Sequence, residues 1–201
     1  MAKITQLSQL DLNETYTYAD YLTWQLDEAV ELIKGRILLM SPAPNVKHQS
    51  IVTSLGRILS NYFHKKPCKL FFAPFDVSLY DREKSIVANK DIQSVVQPDL
   101  CVICATSKLN EQGCIGAPDW VIEILSKNNS KREMQTKYAL YEESGVKEYW
   151  LVYPYEKAVH QFVLNEVTDR YQLINMFSDE DKASPALFTD LAVDLTEVFI
   201  D

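Results

Sequence analysis

Short apolar runs separated by polar breaks dominate the chain, and most of the runs have strand length. Val30–Met40 reads as two apolar strands around Lys34-Gly35, a hairpin turn. From about His48 to His64 the period changes. Ile51, Leu55, Ile58, Leu59 and Tyr62 recur at helical spacing, so this stretch is an amphipathic helix. Leu70–Leu79 returns to strand character, and Asp81–Asp91 is a charged loop. Further strands are expected at about Pro98–Ile103 and Pro118–Leu125. The polar run Ser126–Ser130 breaks to a helix from about Lys131 to Glu143, with Gly145 at its C-terminal cap position. Glu148–Tyr153, Val159–Leu164 and Tyr171–Phe177 are the remaining strands. Thr17–Gln25 reads as a short helix. Ser41–Asn45 reads as a rigid loop, since Pro42 and Pro44 each fix φ and lack a donor. This order predicts an α/β or α+β fold, a mixed sheet flanked by helices with extra strands at both ends.

Composition narrows the class. The 201 residues suit one domain, 1–201, and contain no repeat or low-complexity linker. Apolar residues make up 47% and charged residues 24%, the balance of a soluble globular protein. No apolar run approaches the roughly 20 residues that span a bilayer, and the first residues carry no apolar signal region, so no membrane partner is expected. Cys68, Cys101, Cys104 and Cys114 are too few and too irregular for a disulfide scaffold, and a reducing cytoplasm is the simplest home. Cys101 and Cys104 form a CxxC inside a strand. Their sulfurs face opposite ways and no second CxxC supports zinc, so both read as packing. Tyr149, Trp150, Tyr153 and Tyr155 read as sheet packing rather than a base-stacking platform. The net charge of −8 argues against a protein that coats nucleic acid, which needs lysines and arginines on phosphates. It leaves a nuclease open, because active-site acids count in the sum.

Candidate chemistry sits in Gln97-Pro98-Asp99-Leu100 and in Trp120-Val121-Ile122-Glu123-Ile124-Leu125. Both acids lie in apolar runs, and a buried carboxylate is costly unless it is paired, hydrogen-bonded or on a metal. Two at neighbouring strand ends make a site for a hard divalent cation. Asp119 shares a face with Glu123, but four strand residues span roughly 13 Å, too far for one ion. Asp99 on an adjacent strand is the better partner, and Asp119 reads as a strand cap. Lys137 falls beside the stripe of Met134, Tyr138 and Tyr141. It points either toward the sheet or into an i, i+4 pair with Glu133 on a solvated face. Simpler readings exist for the others too: Asp99 as a strand start, Glu31 as an exposed acid, His48 as a helix N-terminal polar residue. There is no Walker loop, no G-x-G-x-x-G and no Ser-His-Asp signature.

Several segments together carry a family resemblance: Glu31-Leu32-Ile33-Lys34-Gly35, Met40-Ser41-Pro42-Ala43-Pro44, His48, Phe72-Ala73-Pro74-Phe75-Asp76-Val77, Val96-Gln97-Pro98-Asp99, Glu123-Ile124-Leu125-Ser126, Lys137-Tyr138-Ala139-Leu140-Tyr141 and Gly145-Val146-Lys147-Glu148-Tyr149-Trp150. In this order, from about Tyr16 to Phe199, the chain resembles the Uma-two family of restriction-endonuclease-like proteins, within the PD-(D/E)XK nuclease superfamily. The resemblance implies a PD-(D/E)XK core and a DNA endonuclease that uses Mg2+ or Mn2+, often as a homodimer. Asp99 and Glu123 would bind the metal. The superfamily lysine two positions after the second acid would fall at Leu125, and the family's migrated lysine matches Lys137. Glu31 is similar to the family's upstream acid and His48 to its histidine at the helix start. Lys127-Asn128 replaces the usual Pro-Ser, and Glu133 stands where Asp is common. The alternative is a module that keeps the nuclease fold and binds or assembles with a partner without cutting.

Overall fold

The computed structural model describes residues 3–40, 45–80, 88–127 and 131–200. The α-helices among them are α1 (Tyr18–Tyr21), α2 (Val46–Phe63) and α3 (Lys131–Ser144). The strands are β1 (Val30–Ile33), β2 (Arg36–Leu39), β3 (Lys69–Phe72), β4 (Asp76–Leu79), β5 (Ser94–Val96), β6 (Leu100–Ile103), β7 (Gly113–Ile115), β8 (Trp120–Ile124), β9 (Glu148–Tyr153), β10 (Ala158–Asn165), β11 (Arg170–Ser178), β12 (Lys182–Ala183) and β13 (Val193–Asp194). They form a six-stranded sheet in the order β11-β10-β9-β8-β6-β3, a five-stranded sheet β2-β1-β5-β4-β7 and the pair β12-β13. In the larger sheet β8 runs parallel to β9 and antiparallel to β6, so the sheet is mixed as expected.

Strand alternation builds two cores. On one face, Trp120, Ile122 and Ile124 of β8, Leu100 and Val102 of β6, and Trp150 and Val152 of β9 meet Ile51, Leu55, Leu59 and Phe63 of α2. On the other face, Cys101, Val121 and Tyr149 meet Leu140 and Tyr141 of α3 and Val77, Leu79 and Val96 of the smaller sheet. Burying such side chains contributes about 1.5–3 kcal/mol each, which outweighs the weak intrinsic preferences of strands this short.

The structure departs from the expected elements in particular places. Leu70–Leu79 is not one strand. It divides into β3 and β4, which lie in different sheets. The chain passes between the two larger sheets five times, and the passages β3–β4, β5–β6 and β7–β8 carry Pro74, Pro98 and Pro118, whereas β6–β7 has no proline. A proline cannot donate to a ladder, and at a passage there is no ladder bond to lose. The strands β5 and β7 are three residues each, too short to show a period. The helix expected over Thr17–Gln25 is one turn, capped by the Thr17 side chain. Residues 41–44, 81–87 and 128–130, which hold most of three expected loops, lie outside the described residues.

The cysteines also differ from expectation. Cys101 is free and buried as read, but Cys104 is bonded to Cys68. The register explains the encounter. Lys69 pairs with Ile103 at the end of the β3–β6 ladder, so the next residues out, Cys68 and Cys104, face each other. Such bonds are uncommon in reducing compartments. With the cysteines separated by 36 positions in sequence, loop-closure entropy puts the contribution of the bond at about 3–4 kcal/mol. Urea midpoints with and without reductant check this: the reduced protein is expected to unfold at clearly lower urea, and equal midpoints would remove the bond from the stability account. No helix among the described residues is long and apolar enough to cross a membrane.

Candidate active site

The passage from β5 to β6 carries Gln97, Pro98 and Asp99 from one sheet to the other. Leu100 pairs with Ile122 in the antiparallel β6–β8 ladder, which sets Asp99 one step further, across from Glu123. Cβ atoms at such positions lie about 5 Å apart. Asp99 Oδ2 accepts from the Ile124 N–H at 2.7 Å and lies 3.3 Å from His48 Nε2. Glu31, on β1 of the smaller sheet, faces the same place and is 2% exposed. Its Oε1 accepts from the Gln97 N–H at 2.9 Å. Lys137 Nζ reaches from α3 to Glu31 Oε1 at 2.9 Å and Glu123 Oε1 at 3.1 Å. The structure thus brings Glu31, His48, Asp99, Glu123 and Lys137 together. Lys137 points toward the sheets, not into a surface pair.

Electrostatics follow from crowding three carboxylates around one lysine. Burial pushes the Glu123 carboxyl up to about 7, Asp99 and Glu31 add to this, and Lys137 and Tyr141 oppose it. Burial would lower the Lys137 ammonium, but Glu123 and Glu31 outweigh that and hold its pKa above the ordinary lysine value. Burial likewise works against protonated His48, and the bond to Asp99 with the charge of Glu123 wins, so its pKa is raised. Among the described residues, no group of three or more His, Cys, Asp and Glu side chains is placed to hold a metal unaided. A cavity of about 30 Å³ opens beside Glu123 and Lys137, room for a water molecule or two.

Other residues join the site that the sequence reading did not single out. Tyr141, read as part of an apolar stripe, donates its hydroxyl to Glu123 Oε1 at 2.6 Å. It lies four residues after Lys137, so the helical period held the signal. Gln97 donates its side-chain amide to Asp76 Oδ1 at 2.7 Å, and Tyr21 donates to the same oxygen at 3.3 Å. These partners come from distant segments and left no local pattern. Asp119 stays apart from the acids. It accepts from the Cys104 N–H and from Lys147 Nζ, both at 2.8 Å. Those bonds outweigh burial and hold its pKa below the usual carboxylate value.

The family model described as "Uma2: Putative restriction endonuclease" matches residues 18–196. The chain belongs to the Uma2 family. A crystal structure from Anabaena variabilis ATCC 29413, described as "a putative nuclease belonging to DUF820", is similar to this Uma2 chain with a TM-score of 0.70 and 20% identity. The likeness covers 92% of this chain and 97% of that one, and it is a likeness of fold. No curated protein matches the chain. The Uma2 match takes in both sheets and all five residues of the cluster.

Proposed function

We propose that this Uma2 chain is an endonuclease that hydrolyses DNA phosphodiester bonds with a bound Mg2+ or Mn2+ ion. The observation that carries the reading is Asp99 set across from Glu123, with Lys137 held between Glu123 and Glu31. The donor set fits a hard divalent cation. Asp99 Oδ1 and Glu123 Oε2 take no hydrogen bond from the described residues, while the second oxygen of each carboxylate is fixed by protein donors. Magnesium commonly takes one or two carboxylates and fills its remaining positions with water and phosphate. When bound, such an ion polarises a phosphoryl oxygen and acidifies nearby water.

The chain's own residues do the rest. Lys137 presents a compact cation, kept charged by its two carboxylate partners, to the negative charge that grows on the phosphate. Glu31 holds Lys137 from the far side, and Tyr141 keeps Glu123 Oε1 turned away from the substrate. His48 and the Ile124 N–H orient Asp99. A homodimer would supply two such sites, one for each strand of a duplex.

Supercoiled plasmid and single-stranded DNA, incubated with wild type and Asp99→Asn in Mg2+, Mn2+ or EDTA, test the reading. Cutting is expected only for wild type with metal, with Asp99→Asn slowed by about 10²–10³-fold or more. Wild type that binds metal by calorimetry yet cuts neither substrate would overturn it in favour of a non-cleaving module, which the acidic net charge would suit.

A further inference from the structure

We infer that Lys47, Lys127 and Tyr155 form a clamp for the DNA backbone, gripping phosphates that flank the one being cut. The inference rests on the nuclease reading above. Tyr155 was expected to pack in the sheet. Instead it stands in the turn between β9 and β10 and is 41% exposed. Lys47 Nζ lies 5.3 Å from its ring centre and Lys127 Nζ 4.7 Å.

The pairing of these lysines is unusual within this chain. Lys34, Lys66, Lys137, Lys147, Lys157 and Lys182 each lie on a carboxylate, while others such as Lys69 and Lys90 have none among the described residues, so it is the shared ring that sets Lys47 and Lys127 apart. Lys47 and Lys127 have no carboxylate partner among the described residues, and the two converge on one ring in a chain of net charge −8. A tyrosine face returns only about 0.5–1 kcal/mol to an exposed ammonium, and the two cations repel each other. A shared anion removes that repulsion.

The arrangement is also held in place and aimed. Asn45 Nδ2 donates to the Tyr155 hydroxyl at 3.2 Å, and Asn45 Oδ1 accepts from the His48 N–H at the start of α2. The turn is therefore tied to the helix end that carries both Lys47 and His48. Lys127 lies four residues beyond Glu123, where β8 and β9 run parallel toward the same end. A backbone crossing the acids in that direction meets the two lysines next. The N-terminal end of α2 adds favourable potential for anions there. Ammonium groups are point charges without a fork to read base edges, so this contact positions a strand and leaves base sequence unread.

Anisotropy of fluorescein-labelled single-stranded and duplex 20-mers tests the clamp, in Mg2+, with every protein carrying Asp99→Asn so that cutting is slow on the timescale of the measurement. The slope of log K against log[NaCl] is expected to become shallower by about 1 for Lys47→Gln, about 1 for Lys127→Gln and about 2 for the pair, on any base sequence. Lys182→Gln, on β12 and paired with Asp194, should leave the slope alone. Tyr155 acts through the lysines as a positioning residue. Tyr155→Ala is expected to weaken binding about 5-fold at an unchanged slope, and Tyr155→Phe, which returns the ring without the tie to Asn45, to restore part of it. An unchanged slope in the double lysine variant, with wild type still cutting plasmid, would overturn the clamp alone. Wild type that neither cuts nor binds would remove the nuclease reading and the clamp with it.

Discussion

A Lys137→Met chain is expected to lose about 3–5 kcal/mol of folding stability and to cut DNA about 10²–10³-fold more slowly. The stability loss comes from the partners left behind. Glu31 and Glu123 both turn an oxygen to Lys137 Nζ, and both are largely shielded from water. Removing one member of a buried ion network leaves uncompensated charge, which costs more than the intact network contributes. Methionine nearly fills the same volume, so the cavity term stays small. Urea unfolding measures the first effect and plasmid cleavage the second. Adding Glu31→Gln to Lys137→Met should recover part of the stability, because the residues are in contact and their effects couple. It should recover none of the cutting. Wild-type stability in the single variant would place Lys137 on the surface beside Glu133, and wild-type cutting would take it out of the mechanism.

Glu148→Ala is expected to destabilise by about 4 kcal/mol without touching the acids. Glu148 is fully buried at the start of β9. Its Oε1 accepts from Trp150 Nε1 at 2.6 Å, Gln161 Nε2 at 2.8 Å and the Ala186 N–H at 3.1 Å, and its Oε2 from the Leu187 N–H at 3.0 Å. Burial raises its pKa, and these donors hold part of that rise back. Truncation strands the buried Trp150 indole N–H and removes an acceptor from Gln161 Nε2, which keeps Ser184 O, and from the N–H groups of the exposed Ala186 and Leu187, at a cost of about 1–3 kcal/mol for a stranded donor and not additively. The C-terminal segment loses its anchor to the larger sheet at the same time. Glu148→Gln keeps one acceptor oxygen and should cost less than alanine. Equal urea midpoints for alanine and wild type would show that the segment is held by packing alone.

Much of this protein was legible before any coordinates, because its main elements carry their signals locally. The helical period over Ile51, Leu55 and Leu59 marks α2, and Lys34-Gly35 marks the β1–β2 hairpin. Both of those residues take positive φ, as such a turn requires. Alternation in β8 placed Glu123 on the face opposite Trp120, and strand geometry favoured Asp99 over Asp119 as its neighbour. Spacing alone left Lys137 undecided between the sheet and Glu133, and the family resemblance favoured the sheet.

What the chain determined by itself is therefore the kind of element at each long periodic stretch and the face each residue takes within it, since period 2 and period 3.6 are properties of neighbouring residues. The tertiary structure decided which faces meet. It broke Leu70–Leu79 between two sheets at Pro74, set Cys68 against Cys104, gave Tyr141 to Glu123 and Gln97 to Glu31 and Asp76, and lifted Tyr155 out of the sheet beneath two lysines. Each of those outcomes depends on register between strands or helices far apart in sequence. Register is chosen by the burial of whole faces and by turn geometry, so a residue's immediate neighbours do not fix its partner, and of these outcomes only Tyr141 left a trace in the local period.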